Sequence, residues 1–340
     1  MIAARVAAAL LVTAGAALAE PRYTLLEFSD LDGWADDDHD AALSSFLETC
    51  TDLKDREWAT LCAVAQNQAG GRGFFEAFFR PVLIEDGDPM LFTGYFEPEL
   101  DGSLTQTPRY QWPIYAKPDE VTEGNKWFSR ADIENLQLLQ NRGLEIAWVD
   151  DPVELFFLQV QGSGRIRLPD GDNVRVGYAA KNGHEYRSVG QEMVRRGLAE
   201  AHEVSAATIR SWVKANPEEG KSLLQHNPSY VFFREVSEVP AAEGPLGAMN
   251  RSLTTMRSVA VDPDYTQLGA PIWIEKDGAD PVRQLMIAQD TGSAIKGAQR
   301  ADIFYGTGDE AGRLAGTIKD GGRMVALYPI QTALRLVPEG

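Results

Sequence analysis

The chain has 340 residues, 44% of them hydrophobic, which is enough for two domains with well-formed cores. Its 50 acidic and 32 basic residues give a formal net charge of -18. That balance argues against nucleic acid as a partner, since a polyanion is bound through clustered cations; a mildly charged polymer stays compatible with it.

Residues 1–19 carry the features of a secretory leader. Arg5 supplies the positive region, residues 6–17 the apolar core, and Ala17-Leu18-Ala19 a small-x-small cleavage site before Glu20. The apolar run is too short to span a bilayer comfortably, so cleavage after Ala19 is expected rather than an anchor helix. No cysteine stands beside that site to take a lipid, so the mature chain is expected to have no lipid anchor and no transmembrane segment.

Cys50 and Cys62 are the two cysteines. Exported thiols meet an oxidising compartment, so a disulfide between them is expected. They fall in adjacent helical patterns: residues 40–53 carry Leu43, Phe46 and Leu47 on one face, and residues 56–66 carry Leu61 and Val64. The bridge would staple a helical hairpin. Two cysteines with no histidine at ligand spacing are too few for a metal. His39, His184, His202 and His226 are scattered, and neither a metal nor an organic cofactor is expected.

Residues 73–79 (GFFEAFF) read as an aromatic helix or turn, and residues 90–99 (MLFTGYFEPE) as a strand containing a glycine. Phe92 and Phe96 read as core, whereas Tyr95, beside Gly94, can offer a flat face and a hydroxyl to a sugar. Pro108, Pro113 and Pro118 then punctuate the start of a second unit and disfavour long central strands there. Ser129 followed by Asp132 is a capping signature for a helix over residues 129–139, which makes Asp132 and Glu134 helix-start charges. Residues 155–160 are apolar and strand-like. Gln159, Gln161 and Ser163 could offer amides and a hydroxyl to sugar hydroxyl and N-acetyl groups, or form only a solvated strand face. Pro169-Asp170-Gly171 marks a hairpin turn. Gly162-Ser163-Gly164 lacks the Lys-Ser/Thr ending of a phosphate loop and the spacing of a dinucleotide fingerprint. Helices are expected over residues 188–200 and 206–215, the second capped by Ser205 and stopped by Asn216-Pro217. From Tyr230 the pattern is mostly short strands, over residues 230–234, 257–261, 271–275, 283–289, 302–305 and 324–328, which suggests a small barrel. Asp262-Pro263-Asp264 reads as a turn.

Within that barrel, residues 289–316 (QDTGSAIKGAQRADIFYGTGDEAGRLAG) hold three aspartates among glycines. Asp290 opens a Thr-Gly-Ser turn, Asp302 begins a β-favouring run, and Asp309 follows the turn marked by Gly306 and Gly308. Glycines there permit tight turns and close approach of a bulky ligand. Each aspartate alone reads as a turn-fixing residue. Lys296 between the first two acids, with Ile295 and Ile303 as apolar anchors, raises the case for a site.

This stretch resembles the C-terminal 3D domain of the MltA lytic murein transglycosylases: Asp-x-Gly-x-Ala-Ile-Lys-Gly, then Asp-Ile-aromatic-x-Gly. Four further stretches are similar to the family and stand in its order: FTGYFEP (92–98), FLQVQGSG (157–164), VGYAAKNGHEYRSVG (176–190) and NPSYVFF (227–233). The resemblance implies a mainly β (α+β) fold. A double-psi β-barrel with N-terminal helices is expected from residues 20–101 and 235–340. A β-rich domain, residues 102–234, would be inserted as the other wall of a glycan groove. It implies a periplasmic lyase acting on peptidoglycan strands, although several members are lipoproteins and this chain departs from them. Asp302 matches the family's single catalytic aspartate; Asp290, Lys296, Thr93, Tyr95, Gln159, Gln161 and Ser163 are the expected substrate-binding residues. Relatives of this barrel type among endoglucanases often carry His-Phe-Asp where this chain has Arg300-Ala301-Asp302.

Glycoside cleavage needs a carboxyl that stays protonated near neutral pH, and an apolar or acidic setting provides it. Asp302, between Ala301 and Ile303, has the more apolar neighbours. Asp290 and Asp309 could raise its pKa, hold a sugar hydroxyl, or only order the loop. A lytic transglycosylase uses the C6 hydroxyl of N-acetylmuramic acid as nucleophile, so one aspartate can act as acid and then as base. A hydrolase using Asp290 with Asp302, and a non-catalytic wall-binding protein, are the alternatives the residues leave open.

Overall fold

The computed structural model describes residues 20–240 and 242–337; the proposed leader, residues 1–19, lies outside them. Strand β1 (Arg22–Leu25) leads into three helices, α1 (His39–Thr49), α2 (Arg56–Ala65) and α3 (Gly71–Phe78), and then strand β2 (Phe79–Glu85), which pairs antiparallel with β1. Asp38 and Asp55 start α1 and α2 by accepting backbone N–H groups at 3.1 Å and 2.9 Å. Cys50 and Cys62 form a disulfide with Cα atoms 5.5 Å apart. The aromatic run is shared between α3 and β2: Phe74, Phe75 and Phe79 are fully buried around Phe46, with ring centroids 5.9–6.2 Å from it.

Strands β3 (Leu91–Glu97), β4 (Glu99–Ser103) and β5 (Trp112–Tyr115) precede α4 (Arg130–Asn135), β6 (Glu145–Val149) and α5 (Pro152–Gln161). Then come β7 (Ser163–Arg167), β8 (Asn173–Lys181), α6 (Val189–Arg195), α7 (Ala206–Ala215), α8 (Pro217–Leu224) and β9 (Val231–Glu235). A six-stranded sheet forms in the order β5-β6-β4-β7-β8-β9. Pro113 sits in its edge strand, where a missing N–H costs no ladder bond. One expectation is corrected. Residues 155–160 are helical, because Asp151 caps a helix with Pro152 in its first turn and Gly162 ends it at φ 80°. Asn216 and Pro217 end α7 at Ala215 as expected, and Pro217 also opens α8, since a helix's first turn needs no N–H from proline.

The chain finishes with β10 (Ser258–Val261), β11 (Pro271–Lys276), β12 (Val282–Asp290), β13 (Arg300–Thr307), α9 (Gly308–Ala315), β14 (Lys319–Asp320), β15 (Gly322–Pro329) and α10 (Ile330–Leu336). With β1, β2 and β3 they make a nine-stranded sheet, ordered β1-β2-β15-β11-β12-β10-β13-β3-β14. The architecture is mixed α/β with two sheets. Every residue of β11 is buried, so its near-continuous apolar run reflects cover on both faces; α1 packs on β12, and α10 on β2 and β15. Strand β3 pairs parallel with β13, and β10 parallel with β12. Among the described residues no helix is long and apolar enough to cross a membrane.

Candidate active site

Strand β13 lies between β3 and β10, and the register sets Asp302 opposite Thr93 on one side and Ala260 on the other. Side chains alternate along a strand, so Arg300, Asp302 and Phe304 share a face with Leu91, Thr93 and Tyr95 of β3. Thr93 Oγ1 donates to Asp302 Oδ1 at 2.6 Å, and Arg300 Nη2 donates to Thr93 Oγ1 at 2.8 Å. Burial pushes the Asp302 carboxyl above its usual range; the Thr93 hydrogen bond and the Arg300 charge oppose that without cancelling it. Ala301 and Ile303, the apolar sequence neighbours, are fully buried on the opposite face. What surrounds the acid is therefore set by the cross-strand residue and by residues two positions away.

Asp290 ends β12. Its Oδ2 accepts from the Tyr95 hydroxyl at 2.9 Å, and its Oδ1 from the backbone N–H groups of Ala248 and Thr291, both at 2.9 Å. Burial raises this carboxyl to about 6, the nearby Asp302 charge adds to the rise, and the three donors oppose it. Tyr95 is itself pushed well above the ordinary phenol range by burial and by Asp290. Its ring lies 5.3 Å from that of Phe304. Gly94 lets β3 approach α9 closely: a Cβ there would meet Ala315 Cα at 2.8 Å and the Tyr305 ring at 2.9 Å.

The other expected site residues fall in different settings. Gln161, the last residue of α5, accepts from Phe96 N–H at 3.1 Å and so ties α5 to β3. Gln159 is only 5% exposed within α5, so it lines the interior of the smaller unit instead of a strand face. Ser163 begins β7, half-buried opposite Gly177. Lys296 pairs with Asp262 at 3.1 Å and Asp264 at 3.7 Å. Asp262 is more than a turn residue: it is buried and also accepts Gly297 N–H at 2.9 Å. Asp309 is an exposed acid in the first turn of α9.

Four contributors escaped the sequence reading. Arg300 is one. Glu97, fully buried, is another: Arg165 Nε lies 2.9 Å from its Oε2, Arg175 Nε 3.0 Å from its Oε1, and Thr307 Oγ1 donates to it at 2.8 Å. Period-two spacing with Thr93 and Tyr95 could have flagged Glu97; its arginine partners on β7 and β8 carry no such signal. The third is the Ala248 N–H, which belongs to a loop held by the fourth, Arg251, through its 2.7 Å pair with Asp52 and a bond to Thr51. Among the described residues no cluster of three His, Cys, Asp or Glu side chains is arranged to hold a metal ion.

Two family models match the chain, one described as the MltA specific insert domain over residues 91–234 and one as the 3D domain over residues 257–328. The Vibrio cholerae protein named membrane-bound lytic murein transglycosylase A is 35% identical over 267 residues, which is 74% of this chain and 69% of that one. A crystal structure of the membrane-bound lytic murein transglycosylase from Agrobacterium tumefaciens superposes with a TM-score of 0.82 at 32% identity, covering 92% of this chain and 99% of that one. Escherichia coli MltA with bound chitohexaose superposes with a TM-score of 0.70 at 28% identity, covering 85% of this chain and 89% of that one.

Proposed function

The chain belongs to the MltA family of lytic murein transglycosylases, and from that membership we propose that it cuts peptidoglycan without water. The bond is the β-1,4 link between N-acetylmuramic acid and N-acetylglucosamine, and the product is a 1,6-anhydromuramic acid end. The observation that carries this reading is Asp302, a carboxyl raised by burial on a strand face beside a fixed hydroxyl and a cation. Asp302 gives its proton to the glycosidic oxygen as the C1–O bond breaks and its electron pair goes to that oxygen. The C6 hydroxyl oxygen of the same muramic residue then bonds to C1, and its proton returns to Asp302. Intramolecular attack gains from proximity, by roughly 7 kcal/mol or more when orientation is good.

A hydrolytic pair would need a second carboxylate free to activate water. Both oxygens of Asp290 already accept hydrogen bonds, from Tyr95, Ala248 and Thr291, which supports a single working carboxylate. The parallel pairs β3–β13 and β10–β12 support reading the larger sheet as a double-psi β-barrel, built from residues 20–101 and 235–340. Residues 102–234 are then the inserted domain and the second wall of a glycan groove. The substrate places the reaction in the periplasm.

The test is mass spectrometry of fragments released from purified sacculi by the protein and by Asp302→Asn. Fragments one water lighter than hydrolytic products, absent with the variant while glycan binding persists, are expected. Ordinary reducing ends would transfer the assignment to hydrolysis, and full activity of the variant would remove Asp302 from the reaction.

A further inference from the structure

The two oxygens of Asp302 are not equivalent. Arg300 is a donor only, so the 2.8 Å contact from its Nη2 makes Thr93 Oγ1 an acceptor. A hydroxyl has one proton, and that of Thr93 is thereby directed along the 2.6 Å contact to Asp302 Oδ1. The guanidinium is held in place by its other donors, with Nη1 on the carbonyls of Leu91 at 3.1 Å and Ala301 at 2.6 Å. Among the described residues no hydrogen bond reaches Asp302 Oδ2. We propose that Arg300 and Thr93 are positioning residues that commit Oδ1 to accepting, so that Oδ2 carries the acid proton, delivers it to the departing oxygen and later takes the C6 hydroxyl proton. This rests on the reading of Asp302 as the acid.

The arrangement also accounts for why a cation stands so near a proton donor. A guanidinium in direct contact would hold the carboxyl ionised. Set behind a hydroxyl, it polarises the bond to Oδ1 and steadies the carboxylate left after the proton departs, while burial still dominates. The charged and titratable groups facing Asp302 are Arg300 on its own strand, Tyr95 on β3 and Asp290 at the end of β12, with Tyr305 nearby. Strand β10 presents Ala260, β14 sets the exposed Lys319 opposite Thr93, and Asp309, Glu310 and Arg313 of α9 are exposed.

The test follows the Asp302 carboxyl by carbon-13 NMR titration, its signal assigned by its absence in Asp302→Asn. Thr93→Val removes a hydrogen bond to a charged group and is expected to lower the Asp302 acid dissociation constant about tenfold, while Thr93→Ser stays within about twofold. Arg300→Met is expected to lower the constant at least about threefold more with Thr93 present than in the Thr93→Val background. The alkaline limb of kcat/KM should move in the same direction and order. Equal effects of Arg300→Met in both backgrounds would overturn the relay, because Arg300 would then act by its field alone. If Arg300→Met does not fold, the Thr93 variants decide: a Thr93→Val constant within about twofold of the parent overturns the proposal. Failure of the acid assignment appears elsewhere, as turnover by Asp302→Asn, whatever the titration gives.

Discussion

Replacing Glu97 with glutamine strips the counter-charge from two guanidinium groups at the junction of the two sheets. The Glu97 side chain is 0% exposed, with Arg165 at 18% and Arg175 at 8%, so water cannot substitute for the lost carboxylate. Burial holds the Arg175 guanidinium below its usual range, and Glu97 is the first group opposing that. Removing one partner of such a buried pair costs about 3–5 kcal/mol. Part of the loss is offset, because both arginines also donate to the Glu243 carbonyl, at 2.6 Å from Arg175 and 3.0 Å from Arg165. The expected cost therefore lies near the lower end, about 3 kcal/mol. It is read from the urea midpoint with the slope checked for constancy. Adding Arg175→Met should cost less than the sum of the two single changes, because the sites share a network. A loss below about 1 kcal/mol, or a strictly additive pair, would refute the view that this carboxylate locks the sheets together.

Two other consequences can be measured independently. Asp290 is raised to about 6 in the folded chain, so the folded state binds its proton more tightly than the unfolded state does. Its contribution to stability is then full below the unfolded carboxyl value and is lost as pH rises through about 6. Against a parent curve taken over pH 4–7, Asp290→Asn should remove a decline of roughly 2–3 kcal/mol; an unchanged curve would contradict the burial of this group. Reduction of Cys50–Cys62, or Cys50→Ser with Cys62→Ser, opens a loop of sequence separation 12. The expected loss is about 3 kcal/mol in chemical denaturation, and an unaltered midpoint would mean that the helical hairpin holds without its staple.

The parts of the fold that could be read in the sequence are those where local chemistry and tertiary packing agree. Ser129 and Ser205 cap α4 and α7, and Pro169-Asp170-Gly171 lies between β7 and β8, as the residues themselves suggest. Helix α5 was illegible as a helix because its apolar run is nearly continuous, which leaves the period ambiguous and shifts the decision to Asp151, Pro152 and Gly162 at its ends. Asp302 stood out through its glycine-rich setting, yet Ala301 and Ile303 were the wrong neighbours to weigh, because adjacent residues of a strand face opposite ways. Arg300 was overlooked for a related reason. A cation two residues from the acid reads as a surface charge until the register of β3 brings Thr93 between them. The Ala248 N–H has no signature at all, since any residue but proline supplies one.

The site draws on β3, β13, the end of β12 and a polar loop around Ala248, four pieces that apolar burial alone would not bring into one register. Acid–base locks supply what the core cannot. Glu97 holds Arg165 and Arg175; Asp52 holds Arg251 of the Ala248 loop; Asp262 holds Lys296 and the Gly297 N–H; Asp37 holds Arg257 at 2.9 Å and the Leu285 N–H at 2.8 Å. These acids are therefore structural, holding backbone and cations between elements far apart in sequence. Asp290 and Asp302 have different partners. Each takes a hydroxyl, from Tyr95 or Thr93, and among the described residues neither pairs directly with a cation, since Arg300 reaches Asp302 across Thr93. Burial without a cation in contact raises both carboxyls against the opposing pull of those same hydroxyls, whereas each of the locking acids faces a basic side chain. The carboxyl proposed as proton donor is thus set apart from the structural acids by burial without a direct counter-charge, not by residue type.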